Sequence, residues 1–133
     1  MQLTKKSSYG LIAILELAGA SDESPTPASA IAERFSLSVS FIEKILRELR
    51  RAGLVVSTQG RSGGYSLARN ASHISLRQVL EALGESLDLV GCVHSDAHCD
   101  LTVICPTRSA WRKLDSQFKE LLEAMSVADL LAT

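Results

Sequence analysis

The sequence is short of aromatic residues, of proline and of any excess of one charge, and each shortage narrows what the chain does. Aromatics make up 5% of the 133 residues, too few for a platform on which the bases of a single strand stack. The net charge of -1 gives no overall pull toward a polyanion or a polycation. With 46% hydrophobic residues, 22% charged residues and three prolines, the composition is that of a folded chain rather than a disordered one. No apolar run reaches the roughly 18 residues of a spanning helix. No G-x-x-x-x-G-K-[ST] phosphate loop and no Ser/His/Asp constellation is present, so an enzyme is not expected. Three cysteines cannot all pair within one chain; they read as thiols or metal ligands in a reducing, cytoplasmic setting. The length suits one hydrophobic core, as a single domain or a small domain with an extension.

Near the start, Lys5 and Lys6 followed by the apolar stretch 10–20 imitate a secretory signal, but Glu16 interrupts the run. Leu11, Ile14, Leu15 and Ala18 fall on one helical face, which predicts an amphipathic first helix instead.

The near-neutral total conceals an asymmetry. Residues 1–74 hold nine Lys/Arg against six Asp/Glu, a net of +3, whereas residues 75–133 hold five against nine, a net of -4. A basic front and an acidic rear suit a protein that turns one face to a polyanion.

The front half carries the corresponding local pattern. Pro25 to Pro27 mark a loop, and 28–35 (ASAIAERF) has the composition of a short helix with Ile31 and Phe35 one turn apart. The break at Ser36 to Ser38 is followed by Ser40 and Glu43, spaced as a capping box. Phe41, Ile42, Ile45, Leu46 and Leu49 then form the stripe of a second helix running to about Ala52 and stopped by Gly53. Lys44, Arg47, Arg50 and Arg51 give it a cationic outer face. Two strands, 54–58 (LVVST) and 65–68 (YSLA), flank the glycine-rich stretch 60–64. Gln59 and Arg61 would sit at a tip slim enough for a minor groove. Helix, helix and glycine-tipped hairpin in that order make a winged helix-turn-helix, mainly α with a small β-hairpin wing. Ser40 and Glu43 are read both as cap and as base contacts.

In the rear half, Ser75 with Gln78 is a second capping box, opening a helix whose Leu76, Val79, Leu80 and Leu83 pack inward until Gly84. Periodicity then stops. The stretch 91–106 (GCVHSDAHCDLTVICP) holds Cys92, Cys99 and Cys105 in a C-x6-C-x5-C spacing, with His94, Asp96, His98 and Asp100 among them. Clustered soft thiolates favour an iron-sulfur cluster, zinc or cuprous ion, and zinc prefers tighter pairs. Ala110, Trp111, Leu114, Phe118, Leu121, Leu122 and Met125 mark a helix over Thr107 to Met125. Its stripe is too long for the front domain to cover, which predicts a homodimer. The capped segment Ser126 to Leu131 is expected to fold back on that helix, and His73 to be a surface residue.

The stretches SLSVSFIEKILRELRRAGLV, GRSGGYSLAR and ISLRQVLEALGE, with the C-x6-C-x5-C-P loop leading into a helix, resemble the Rrf-two family of winged-helix regulators over nearly the whole chain. The cysteine loop resembles the family's cluster-binding branch of iron-sulfur, nitric-oxide and iron regulators. The resemblance implies a dimeric DNA-binding repressor or activator on a palindromic operator. Residues 1–74 would form the DNA-binding domain, and 75–133 the sensor loop (91–106) and dimerisation helix. It further implies base reading by Ser38, Ser40 and Glu43, and minor-groove contact by the wing from Gln59 to Gly64, including Arg61 and Gly63. Lys44 and Arg47 complete the expected DNA-binding set. Cys92, Cys99 and Cys105 would hold the cluster, the two-iron form being favoured over the four-iron form. The fourth ligand departs from the family: the position three residues after the last cysteine, a histidine in iron-sulfur regulators, is Arg108 here. Where nitric-oxide repressors supply an aspartate from the first helix, Ser8 stands in the neighbourhood. His98 is favoured, with His94, Asp96, Asp100 or an exogenous ligand as alternatives. Competing readings are a thiol redox switch or zinc site without a cluster, and a winged-helix adaptor that binds protein rather than DNA.

Overall fold

The computed structural model describes residues 3–20, 24–90 and 106–133. Thr4 opens helix α1 (Lys5–Gly19) by accepting a hydrogen bond from the Ser7 amide. Helix α2 (Ala28–Phe35) follows, then α3 (Val39–Arg51). The antiparallel strands β1 (Val55–Thr58) and β2 (Gly64–Leu67) pair Val55 with Leu67 and Thr58 with Gly64. The Ala68 amide donates to Leu54 O at 2.9 Å, so the expected strand ends Leu54 and Ala68 extend the ladder by one bond. A single 3-10 turn (Ala71–His73), α4 (Leu76–Ala82), α5 (Arg108–Ala124) and α6 (Val127–Leu131) complete the described elements.

The architecture is the expected mainly helical one with a two-stranded wing. Its main core is built by Ile14, Ile31, Ile42, Ile45, Leu46 and Leu49, all within 1% of complete burial. Truncating Ile45 or Leu46 to Ala costs about 2–5 kcal/mol at such sites. Val79 of α4, the Leu83 that caps it and Val127 of α6 join the same core. The buried face of α1 is displaced by a fraction of a turn from the expected stripe. Gly10, Ala13, Ile14 and Leu17 are buried, whereas Leu11, Leu15 and Ala18 are half-buried along its edges. Gly10 permits this rotation, because a Cβ there would run into the Leu83 side chain.

Two turns depend on backbone conformation. Gly53 (φ +79°) closes α3, and Gly84 (φ +81°) closes α4. The predicted cap of α4 is present in both directions: the Ser75 hydroxyl accepts from the Gln78 amide and the Gln78 side chain accepts from the Ser75 amide. Ser126 and Asp129 form a like pair at α6.

The expected docking of residues 126–131 on the long helix is corrected. Helix α6 packs on α1 and the 3-10 turn. The Val127 amide donates to Ile74 O and the Leu76 amide to Met125 O, both at 2.8 Å, so the chain turns back into the front domain. Val127, fully buried, is the apolar anchor that decides this direction. His73 is exposed on the 3-10 turn, as expected. Among the described residues no helix is long and apolar enough to cross a membrane.

Candidate nucleic-acid interface

The entry to α3 differs from the sequence expectation in one respect. Ser38, not Ser40, is the N-cap, its hydroxyl accepting from the Phe41 amide at 3.4 Å. Ser40 lies within the first turn and shares a 2.9 Å hydrogen bond with the Ser38 hydroxyl. The Ser40–Glu43 capping box is therefore not formed. Its physical reason is the hydrophobic staple: capping at Ser38 places Leu37 just outside the helix and Ile42 at its fourth position, and both pack in the core. Ser36 (φ 55°) makes the turn between α2 and α3, with the Leu37 amide donating to Ala32 O at 2.8 Å.

Helix α3 then separates its faces. Ile42, Ile45, Leu46 and Leu49 are buried, while Ser40, Glu43, Lys44, Arg47, Arg50 and Arg51 are exposed. Released from capping, the Glu43 carboxylate stands on the same outer face as the cations. Phe41 is braced edge-on against Tyr9 of α1, ring centroids 5.7 Å apart, and Glu48 pairs with Lys6 of α1 at 2.6 Å. The helix is thus fixed to α1 on one side and free on the other.

The wing lies beside that free face. Gln59, Gly60, Arg61 and Ser62 at its tip are exposed. Gly60 has φ +108°, and the Gly63 amide donates to Gly60 O at 3.0 Å. A side chain at Gly63 would meet the Thr58 carbonyl oxygen, and one at Gly64 the Thr26 backbone. Thr26 exchanges two 2.8 Å backbone bonds with Tyr65, holding the loop before α2 against β2. An open groove of about 420 Å3 runs between the start of α2, α3 and the wing, lined among others by Ser29, Glu43, Arg50, Ser57 and Gln59. The structure therefore brings Glu43 and the wing to one surface. Arg50, which the expected contact set omits, bridges them by donating to Ser57 Oγ at 3.0 Å. The clue in the sequence was its place in the cationic series 44, 47, 50, 51 together with a serine on the neighbouring strand.

In the rear half, the expected ligands Cys92, Cys99, Cys105 and His98, and the alternatives His94, Asp96 and Asp100, lie outside the described residues. The lead-in to that segment is described. Leu87 is buried with Leu80 and Leu122 in a second, small core. Asp115 of α5, 3% exposed, accepts from the Leu89 amide at 3.0 Å and pairs with Lys119 at 2.8 Å. Lys119 also pairs with Asp88 at 2.7 Å. Burial lowers the Lys119 pKa, but the hydrogen bonds it donates to Asp115 and Asp88 outweigh it, and the ammonium is held above the usual lysine value. Arg108 begins α5 and is half-buried.

Helix α5 leaves most of its apolar side chains uncovered. Trp111 is 39% exposed, Leu114 50%, Leu121 59% and Met125 37%, with Phe118 partly buried. Trp111, Leu114, Phe118, Leu121 and Met125 follow one another at intervals of three and four, the seam of a helix that packs against another helix.

Comparison with known proteins agrees with this geometry. The family model Rrf2, iron-dependent transcriptional regulator, matches residues 3–133. The HTH-type transcriptional regulator IscR of Vibrio atlanticus (strain LGP32) is 38% identical over 131 residues, 98% of this chain and 75% of that protein. Among solved structures, CymR, the global cysteine regulator of B. subtilis, superposes with a TM-score of 0.81 at 28% identity over 99% of this chain and 97% of that one. IscR of T. potens does so with a TM-score of 0.74 at 32% identity, over 99% and 87%. These relatives are regulators of transcription, not enzymes. With its recognition helix, wing and uncovered long helix in place, the chain belongs to the Rrf2 family of winged-helix transcriptional regulators.

Proposed function

We propose that the protein is a cytoplasmic, homodimeric regulator that binds a palindromic operator and whose DNA affinity is set by an iron-sulfur cluster. The observation that carries the DNA-binding reading is the shared surface of α3 and the wing. Exposed Ser40, Glu43, Lys44 and Arg47 stand beside a slim tip bearing Gln59 and Arg61, with Ser38 at the helix start. Ser38, Ser40 and Glu43 read base edges; Lys44 and Arg47 hold phosphates; Gln59, Arg61 and the Gly63 backbone enter the minor groove. Functionally, residues 1–74 bind DNA and residues 75–133 sense and dimerise.

The donor set supports the cluster. Three thiolates supplied by one segment, with an imidazole beside Cys99, match the soft preference of iron in a sulfide cluster. Cys92, Cys99 and Cys105 hold it, His98 serves as the fourth ligand, and a two-iron form is favoured. The group supplies a redox- and iron-dependent constraint on residues 92–105, sensing iron-sulfur status, iron, redox state or nitric oxide. The IscR relative, 38% identical over almost the whole chain, supports this branch.

Protein purified without oxygen is expected to be coloured, with iron and sulfide in equal amounts. Substituting Cys92, Cys99 or Cys105 by Ala removes the colour while the dimer persists; full colour in all three variants overturns the ligand assignment. The second reading, a thiol switch or zinc site, draws on the likeness to a regulator named for cysteine rather than iron. A colourless protein free of iron and sulfide, yet with oxidation-dependent operator binding, establishes that reading instead.

A further inference from the structure

We propose that Asp115 and Lys119 are positioning residues that couple the cysteine segment to the DNA-binding half, by clasping its lead-in, Asp88 and Leu89, onto α5. The proposal rests on the reading above that this segment governs DNA affinity, and it assigns the route by which it does so.

The starting observation is an inversion on α5. The two side chains it buries are Leu122 and Asp115, whereas Leu114 and Leu121 are half exposed or more. A carboxylate is among the least favourable groups to bury, and it stays buried only with partners. Its partners include the Leu89 amide at 3.0 Å and the Lys119 ammonium at 2.8 Å. Lys119, its side chain 15% exposed, turns its remaining reach to Asp88 at 2.7 Å. The Asp115–Leu89 and Lys119–Asp88 bonds join α5 to the residues immediately before the cysteine segment, and the Asp115–Lys119 pair within α5 ties the two together.

Connectivity gives the clasp its consequence. From Arg108 to Asp115 is seven residues of helix, about 10 Å. The chain between Leu89 and Arg108 therefore leaves α5 at one point and rejoins it about two turns away, so a change within it acts on α5 at both. In the other direction the lead-in reaches the recognition helix. Glu85 accepts a hydrogen bond from Thr4 at the start of α1, and Lys6, two residues on, pairs with Glu48 of α3 at 2.6 Å. Residues 85–89 thus touch α1, α4 and α5, and the clasp is the directional part of their contact with α5. Leu87 against Leu80 and Leu122 is apolar and tolerates sliding, whereas an amide and an ammonium aimed at one carboxylate do not. With the clasp closed, lead-in and α5 move as one, carrying α1 and α3 relative to the seam. With it open, the lead-in moves alone.

The test uses the full chain in two states: purified anaerobically with its iron, and stripped of iron by a chelator under reducing conditions. Operator affinity is read by fluorescence anisotropy, and exchange of the amides in 85–90 by mass spectrometry. In the wild type the two states are expected to differ by about tenfold. Asp115→Asn and Lys119→Met should bring them to within about twofold and speed exchange at 85–90 in the iron-free protein, while Lys119→Arg retains the difference. A merely structural role would lower the melting temperature and leave the affinity ratio alone. A wild type with no difference between states removes the sensing reading and the clasp with it. A wild-type difference that persists in both variants removes the clasp alone. Should those variants not fold, Asp88→Asn, at the more exposed end of the network, is read by the same criterion.

Discussion

Arg50 of α3 donates to Ser57 Oγ of β1 at 3.0 Å, and this bond joins the recognition helix to the wing across the groove that both line. A guanidinium carries five N–H donors, so one bond to a hydroxyl orients it without consuming it. In the proposed docking, with α3 in the major groove and the wing in the minor groove, it would meet the phosphate between them. Arg50→Ala is expected to weaken binding alike on every DNA sequence and to lower the slope of log affinity against log salt by about one. Ser57→Ala moves the same way by less, because the cation remains. Anisotropy titrations over a salt series measure both, and a loss confined to one operator sequence would make Arg50 a reader of bases instead.

Glu43 is the exposed anion among the cations of α3, and the structure assigns its capping task to Ser38. Free of that task, its carboxylate is available to accept from a cytosine amino group in the proposed complex. Glu43→Ala should leave helix content unchanged and folding stability within about 0.5 kcal/mol of the parent, as for an exposed position. It should also redistribute preference among operator variants, where Arg61→Ala lowers affinity on all of them. Selection from a randomised half-site reads the first effect directly. Equal loss on every sequence for Glu43→Ala would return it to an electrostatic role.

What the sequence disclosed depended on the range of the signal. Ile42, Ile45, Leu46 and Leu49 repeat at helical spacing, and Gly53, Gly60 and Gly84 mark backbone turns, so the helices and the wing were legible from local pattern. The S-x-x-E pattern alone places the cap of α3 at Ser40, two residues late. Leu37 and Ile42, packed on the same core, carry the information that moves it to Ser38. The destination of α6 was hidden for a different reason. Its short sequence shows an apolar Val127, but only the three-dimensional course of Ile74 and Met125 shows that Val127 turns toward α1. Asp115 gives no sign of its burial in the sequence, since a single charge beside an apolar stripe normally lies on the wet side. The exposed cations of α3 were legible as a series; the bond from Arg50 to Ser57 needed the neighbouring strand.

Acid should loosen the contact of Glu85 with the start of α1, and the start of α6, before the core. The hydroxyls of Ser7 and Thr4 beside Glu85 hold its carboxyl below the usual range, and the amide and hydroxyl of Ser126 do the same for Asp129. A carboxyl lowered in the folded state binds protons more readily when unfolded. Its contribution is therefore full above the ordinary value near 4 and is lost as the pH falls through the lowered one. Lys119 is raised, so its contribution disappears only at alkaline pH and does not enter this window. Melting temperatures measured from pH 7 to pH 3 should fall mainly below about 4. The Glu85→Gln, Asp129→Asn double variant should start lower at pH 7 and converge with the parent in acid. Curves that stay parallel would show that these two carboxyls take no part in the acid response.

The apolar seam of α5 predicts the oligomer. Trp111, Leu114, Phe118, Leu121 and Met125 recur at alternating intervals of three and four, yet this chain buries Leu122 and Asp115 instead. A second copy of the same helix satisfies such a seam, and two-fold symmetry then presents two recognition helices to two half-sites. Leu121, 59% exposed in the single chain, separates association from folding. Leu121→Lys should leave the melting of the monomer unit almost unchanged while sedimentation at micromolar concentration shows half the mass. Affinity for a two-half-site operator should then fall toward that for one half-site. Leu122→Ala, at a buried position of the small core, should instead cost about 2–5 kcal/mol of folding stability. A parent protein that sediments as a monomer, or a Leu121→Lys variant that stays dimeric, would place the dimer contact elsewhere or remove it.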